Sequence, residues 1–215
     1  MFLTLSLTLA GLSLVIGPCV SAQSAPTPST SASYSQDTGK SAPDCSYDLD
    51  AMLALDRNAF DQDIPSGGWR GLSNAGCYEE AAELIRAWRH EKRDHASILY
   101  WHEGQMRAFA GQTDQAIALF ELTRSSIDDD ANFGWNHYVD GTIAFLRGDR
   151  EGLDRAMARL AMMPEPSDNS FTRADGTVIR MSWPPNMNVL KSFDACWGRP
   201  YKDAYGHDCT QSPPN

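Results

Sequence analysis

The sequence predicts an all-α fold in which antiparallel helix pairs stack side by side, with a capping helix in front and a mixed extension behind. Three observations predict it. Of the 12 prolines, four lie at or before Pro43, seven at or after Pro164 and only Pro65 between them, which leaves the 98 residues of 66–163 without one. That stretch, rich in Ala, Leu, Glu and Arg, has the composition of packed helices. Within it, three segments repeat one plan: a helix ending near a glycine turn, then a second helix with an acidic or amide-rich start and apolar periodicity. The turn glycines Gly76, Gly111 and Gly148 stand 35 and 37 residues apart.

Residues 1–22 carry no charged side chain, and the apolar run over 2–16 is broken by Gly17-Pro18. Val20-Ser21-Ala22 then puts small residues at a cleavage site, so 1–22 reads as a signal peptide and the chain as exported, periplasmic or secreted. The run is shorter than the ~20 residues a bilayer-spanning helix needs. Residues 23–44 are Ser, Thr, Pro and Ala with one aromatic. They bury too little apolar surface to offset their ordering entropy, and are expected to form a disordered linker. The helical domain covers 45–163. Its capping helix is expected over 47–61, with Asp48 as N-cap and Leu49, Met52, Leu53 and Phe60 near one face. Residues 164–215 form a C-terminal capping extension. There Asp175-Gly176 between two short runs predicts a small β-hairpin, and Pro184-Pro185-Asn186 opens a helix over 187–196.

The chain sets 18 Lys and Arg against 28 Asp and Glu, a net charge of −10 at pH 7. Nucleic acid is therefore not an expected partner, because such binding draws on clustered cations. Nor is stable membrane insertion expected once the signal is removed. The signal is uncharged and the linker carries only Asp37, Lys40 and Asp44, so the excess acid belongs to the folded part. An acidic helical surface favours a basic or neutral partner.

Beyond the signal stand four cysteines, Cys45, Cys77, Cys196 and Cys209. An even number in an exported chain suggests two disulfides, with three connectivities open. Local pairing is preferred. If the first helix and the segment after residue 66 run antiparallel, Cys45 and Cys77 fall at the same end, while Cys196 and Cys209 are close enough in sequence to staple the tail to the last helix.

The repeated plan resembles the tetratricopeptide repeat, whose helix pairs stack into a right-handed solenoid. In the second copy, with Gly111 as the turn glycine, Gly104 takes the small position of the first helix, Ala116 the alanine of the second and Phe120 its aromatic. The third copy keeps Gly148-Asp149 and Gly141 but has Leu153 where the family has alanine. The first keeps Gly76, Tyr78 and Ala81 but has Trp69 at the small position. No copy has the family's proline after the second helix. The resemblance covers roughly half of the mature chain, 63–163. It implies a concave groove that binds a protein or peptide, lined here by Arg70, Trp101, Gln105, Trp135, Tyr138 and Thr142. Aromatics beside an Arg and an amide make interface hot spots; burial in an ordinary core is the competing reading for the tryptophans. The carboxylate-clamp variant is not supported, because its positions read Ser66, Arg70, His102, Trp135 and Val139.

Catalytic and metal signatures fail on spacing. His90-Glu91 and His95 stand five apart, not four as a zinc-protease helix needs. Asp128, Asp130 and Asn132 open like a calcium loop, but Phe133 and Val139 stand where Gly and Glu are required, and Asn132 reads better as a cap of the next helix. The clustered candidates for an enzyme are His102, Glu103, His137 and Asp140. The expectation is a non-catalytic adaptor or scaffold without metal or cofactor. The rivals are an extracytoplasmic enzyme using those four residues, and an inhibitory or structural protein that plugs a partner with the segment around Trp183 and Trp197.

Overall fold

A computed structural model of the chain describes residues 43–62, 67–172, 176–207 and 209. The expected signal peptide, nearly all of the 23–44 linker, Ser66, Asp175 and the last residues of the tail lie outside them. The described part is mostly helical, as the composition and periodicity predict. Among the described residues no helix is long and apolar enough to cross a membrane.

The chain enters through α1 (Leu49–Ala54), whose N-cap Asp48 accepts a hydrogen bond from the Ala51 N–H at 3.0 Å. The expected single helix over 47–61 does not form. It stops at Ala54, where Leu55 turns extended, and a π turn follows over Asn58–Gln62. Two polar groups account for the break. The Asp56 carboxylate accepts the Ala59 N–H at 2.8 Å, capping a new turn, and the Leu55 carbonyl accepts the Trp88 indole N–H at 3.2 Å. The π turn delivers Phe60 flat onto Trp88, ring centroids 4.5 Å apart.

Then come α2 (Arg70–Ala75) and α3 (Tyr78–Lys92), α4 (Ser97–Phe109) and α5 (Thr113–Glu121), a short α6 (Ile127–Asp130), and α7 (Trp135–Arg147) and α8 (Arg150–Ala161). The three expected glycines make the turns within α2/α3, α4/α5 and α7/α8, all with φ between 68° and 85°, a region that side chains with a Cβ avoid. Helix α3 packs on α4, α4 on α5 and α7 on α8. Close crossing explains the two small positions. A Cβ on Gly104 would stand 2.7 Å from the Phe120 ring, and one on Gly141 would stand 2.6 Å from Leu190.

A hairpin follows, β1 (Ser170–Thr172) antiparallel to β2 (Val178–Arg180). Helix α9 (Met187–Ala195) packs on α7 and α8, and the short α10 (Tyr201–Ala204) on α4 and α9. Two apolar cores result. One gathers Phe60, Trp69, Leu72, Leu84, Ile85 and Trp88 around α3; the other gathers Trp101, Phe120, Tyr138, Phe145, Leu190 and Phe193 around α7. Helix α4 lies between them and feeds both. Each core carries one disulfide, Cys45–Cys77 and Cys196–Cys209, the local pairing. Disulfides persist in oxidising compartments, so the fold fits an extracytoplasmic setting.

Candidate functional site

Helix α4 presents different chemistry on its sides. One side carries Glu103 and Arg107 into a buried charged seam with α3. Arg89 pairs with Glu103 and lies over the Tyr100 ring, 4.0 Å from its centroid, while Arg107 reaches Glu83 at 2.6 Å and Gln112 at 2.8 Å. Every charge in that seam is matched by an opposite one, which is the condition for charges to be buried at all.

A second side carries His102 toward the π turn. Asp61 has no exposed surface, and its carboxylate accepts from His102 Nδ1 at 2.7 Å, from the Trp69 indole at 3.1 Å and from the Gln62 amide at 2.6 Å. Arg70 pairs with the same carboxylate at 3.8 Å, donates to the Asp61 carbonyl and lies 4.2 Å over the Trp69 ring. Burial pushes the Asp61 carboxyl up, but the hydrogen bond and charge of His102, with the bonds from Trp69 and Gln62, outweigh it and hold the group below the ordinary carboxylate range.

The remaining side faces α7. Trp101 is buried, tilted on Phe120 at 4.4 Å and Tyr138 at 4.9 Å, and meets Trp135 edge-on at 4.7 Å. Thr142, fully buried, returns its hydroxyl to the Tyr138 carbonyl at 2.9 Å. Over this seam lies the C-terminal segment. Tyr201 enters among Phe109, Phe193 and Phe145, at centroid distances of 5.2, 5.3 and 6.5 Å, and only 4% of it stays exposed. Tyr205 packs beside it on Phe109 at 5.5 Å. Burial drives the Tyr201 phenol well above its ordinary pKa, the Tyr205 charge adds to this, and the Gln105 side chain opposes it. Tyr138 is raised for the same first reason, with Tyr201 and Tyr205 contributing. The Cys196–Cys209 disulfide joins the two ends of the segment.

The six residues expected to line an open groove therefore divide. Arg70 belongs to the Asp61 cluster. Trp101, Gln105, Tyr138 and Thr142 are buried, and Trp135, half-buried, donates its indole N–H to the Thr123 carbonyl at 2.8 Å. As folded, four of the six are enclosed and Arg70 and Trp135 keep some exposed surface. Trp101 is enclosed by Phe120, Trp135 and Tyr138 of α5 and α7, while the C-terminal segment covers the neighbouring cleft between α4, α7 and α9. Tyr201, Tyr205 and Phe109 carry that contact, and sequence reasoning missed them. The two tyrosines and Pro200 inside a cysteine-bounded tail were the available signal.

The four residues weighed for an enzyme do not converge. His102 turns to Asp61, Glu103 to Arg89 and Arg107, and Asp140 to Arg124 at 2.8 Å. His137 lies apart beside Asp130, Asn136 and Met163, its Nδ1 buried without a hydrogen-bond partner. Among the described residues, the trio close enough to hold a metal is Cys45, Cys77 and Glu80, and a disulfide between the two sulfurs leaves no thiolate to ligate. Asn132 does not cap α7. Asp130 does, accepting the Trp135 and Asn136 amides at 2.6 and 2.9 Å. Trp183 and Trp197 are turned onto their own chain, Trp183 donating to the Met163 carbonyl at 2.9 Å and Trp197 packing on Phe145 under Arg150. Comparison with protein-family models, curated proteins and solved structures finds no match to the chain.

Proposed function

We propose that this chain is an exported, tetratricopeptide-like interaction module, without catalysis, whose aromatic cleft between α4, α7 and α9 takes a peptide segment of a protein partner. The observation that carries the reading is the seating of the chain's own segment there: a short turn of helix anchored by one fully enclosed tyrosine, as a bound peptide would be. A few enclosed aromatic anchors supply most of the affinity in such contacts. The partner segment is accordingly an aromatic-anchored one, neutral or basic to suit an acidic surface, and the C-terminal segment competes with it. Repeated turn glycines and the packing of successive helices support the solenoid reading.

The test uses the full mature chain. In Tyr201→Ala/Tyr205→Ala the tail loses its anchors, and a labelled peptide of residues 199–207 should bind the variant at least about tenfold tighter than wild type, read by fluorescence anisotropy. Equal or absent binding by a variant that still melts cooperatively overturns the reading. Trp101 and Tyr138 are left in place, because they belong to α4 and α7 and losing either costs about 3–5 kcal/mol of the helices' own packing; Tyr201 is as enclosed, but it sits on the segment whose release the test measures.

An enzymatic reading is favoured by one observation, the imidazole of His102 held by buried Asp61. An aspartate that fixes the Nδ1 tautomer leaves Nε2 as a general base. A hydrolytic activity lost in His102→Gln with an unchanged melt would establish it.

A further inference from the structure

We infer that a second ligand site, bordering the cleft and sharing Phe109, Phe145 and Tyr201 with it, takes a small carboxylate with an apolar body while the C-terminal segment is seated. A cavity of about 410 Å³ lies between the α4–α5 turn, the end of α7 and the start of the C-terminal segment. That volume is in the range of small-molecule pockets. Phe109, Phe145 and Leu146 give its lining an apolar part, with Pro200 and Tyr201 of the C-terminal segment closing one side. Its rim carries two cations, Arg199 and Lys202, both exposed.

The charge pattern selects the ligand. Among the described residues no acidic side chain lines this cavity, although the chain as a whole carries 28 acids against 18 bases. Among the described residues, neither Arg199 nor Lys202 has a carboxylate within ion-pair distance. A cavity of about 240 Å³ elsewhere, lined by Arg124, Arg147, Arg155 and Arg159, differs on this point: Asp140 and Asp149 line it too and pair with Arg124 and Arg155. There three of the four arginines meet a carboxylate, Arg147 reaching Glu121 at 3.9 Å, whereas at the α4–α5 turn neither cation does, and apolar side chains lie beside them. An aromatic or branched aliphatic body displaces water from Phe109, Phe145 and Leu146, which is favourable in proportion to the apolar area covered. The carboxylate reaches the guanidinium of Arg199 in a two-point contact, with Lys202 as a second positive charge. A neutral or cationic ligand of the same shape gains only the first of these. The same chemistry is offered by a free organic acid and by the C-terminus of a peptide ending in an apolar residue.

The experiment titrates the full mature chain with four probes, followed by methyl NMR of Leu146 and Ala108: 3-phenylpropionate, its amide, 3-phenylpropylamine and N-acetyl-Gly-Gly-Phe with a free carboxylate. Expected are saturable shifts at the methyls of those two residues with 3-phenylpropionate. The amide and the amine should bind at least about tenfold more weakly, the factor that one charge-assisted contact supplies. Arg199→Gln/Lys202→Gln, confined to exposed side chains, should melt as wild type does and lose about tenfold in affinity for the acid while leaving the amide unchanged. If the peptide binds tighter than the free acid, a chain terminus is the natural ligand; if weaker, an organic acid is. Acid and amide binding alike, the double variant binding as wild type, shifts confined to other methyls, or no saturation at concentrations on the order of 10 mM each overturn the inference.

Discussion

A carboxylate without exposed surface must be matched by donors, and Asp61 is matched by His102, Trp69 and Gln62, with Arg70 alongside. Their combined effect lowers its pKa against the opposing push of burial. The sign of the linkage follows. A depressed folded pKa contributes stability that is fully present above the unfolded value of about 3.9 and is lost as pH falls through the folded value. Asp61→Asn should therefore cost about 2–3 kcal/mol at pH 7, the strength of hydrogen bonds to a charged group, and the gap to wild type should shrink as pH drops below about 4. Urea midpoints from pH 7 to pH 2.5 measure both. A gap of constant size across that range would mean that the carboxylate's charge contributes nothing. None of this cluster was legible in the sequence, where Asp61 reads as the last residue of a capping helix. Trp69 and His102 stand 8 and 41 residues further on, and local patterning says nothing about contacts at that separation.

At the scale of elements, the helix α7 shows how a cap can be present in sequence yet assigned to the wrong residue. The run Ser125-Ser126-Ile127-Asp128-Asp129-Asp130-Ala131-Asn132 offers several side chains that could receive the first amides of a helix. Asn132 stands nearest the helix start and was the natural choice. The chain instead makes a short α6 and then bends through Phe133 and Gly134, so that Asp130 lies under the N-terminus and takes two amides at once. A charged acceptor placed there also suits the helix dipole. Asp130→Ala should cost about 1–2 kcal/mol, with protection against amide exchange lost first at Trp135 and Asn136. Asn132→Ala should change stability by less than about 0.5 kcal/mol. Thermal melts of the two variants side by side decide the assignment, and equal losses would reject it. The repeat helices, by contrast, were legible element by element. Apolar periodicity and turn glycines are local properties, and Gly104 and Gly141 betray close crossings through the absence of a side chain.

At the scale of the molecule, the helical class follows from where proline is excluded, but the closing of the cleft depends on contacts such as Phe109 with Tyr201, far apart in the chain. An open groove was the natural expectation from the repeats alone, because a repeat pattern ends where the extension begins. What the sequence could show of long-range order was the pairing of cysteines, and the two cross-links divide between the two cores. Cys45–Cys77 spans 32 residues and Cys196–Cys209 spans 13. Loop-closure entropy assigns them about 4 and about 3 kcal/mol of stabilisation respectively, through restriction of the unfolded chain. Helix α4 lies between the cores, with Ile98 and Phe109 packed against both, but the two cross-links close loops that do not overlap in the chain, so their effects on the unfolded state should add to within about 0.5 kcal/mol. Cys45→Ala/Cys77→Ala, Cys196→Ala/Cys209→Ala and the quadruple variant, unfolded in urea and followed by circular dichroism, give the comparison. If the quadruple variant departs from the sum by more than about 1 kcal/mol, the cores are coupled through α4 more tightly than their separate packing implies. If it matches the sum, the cross-links act as independent restraints, one holding the entry of the chain to its first helix pair and the other holding the tyrosine-bearing tail in the cleft.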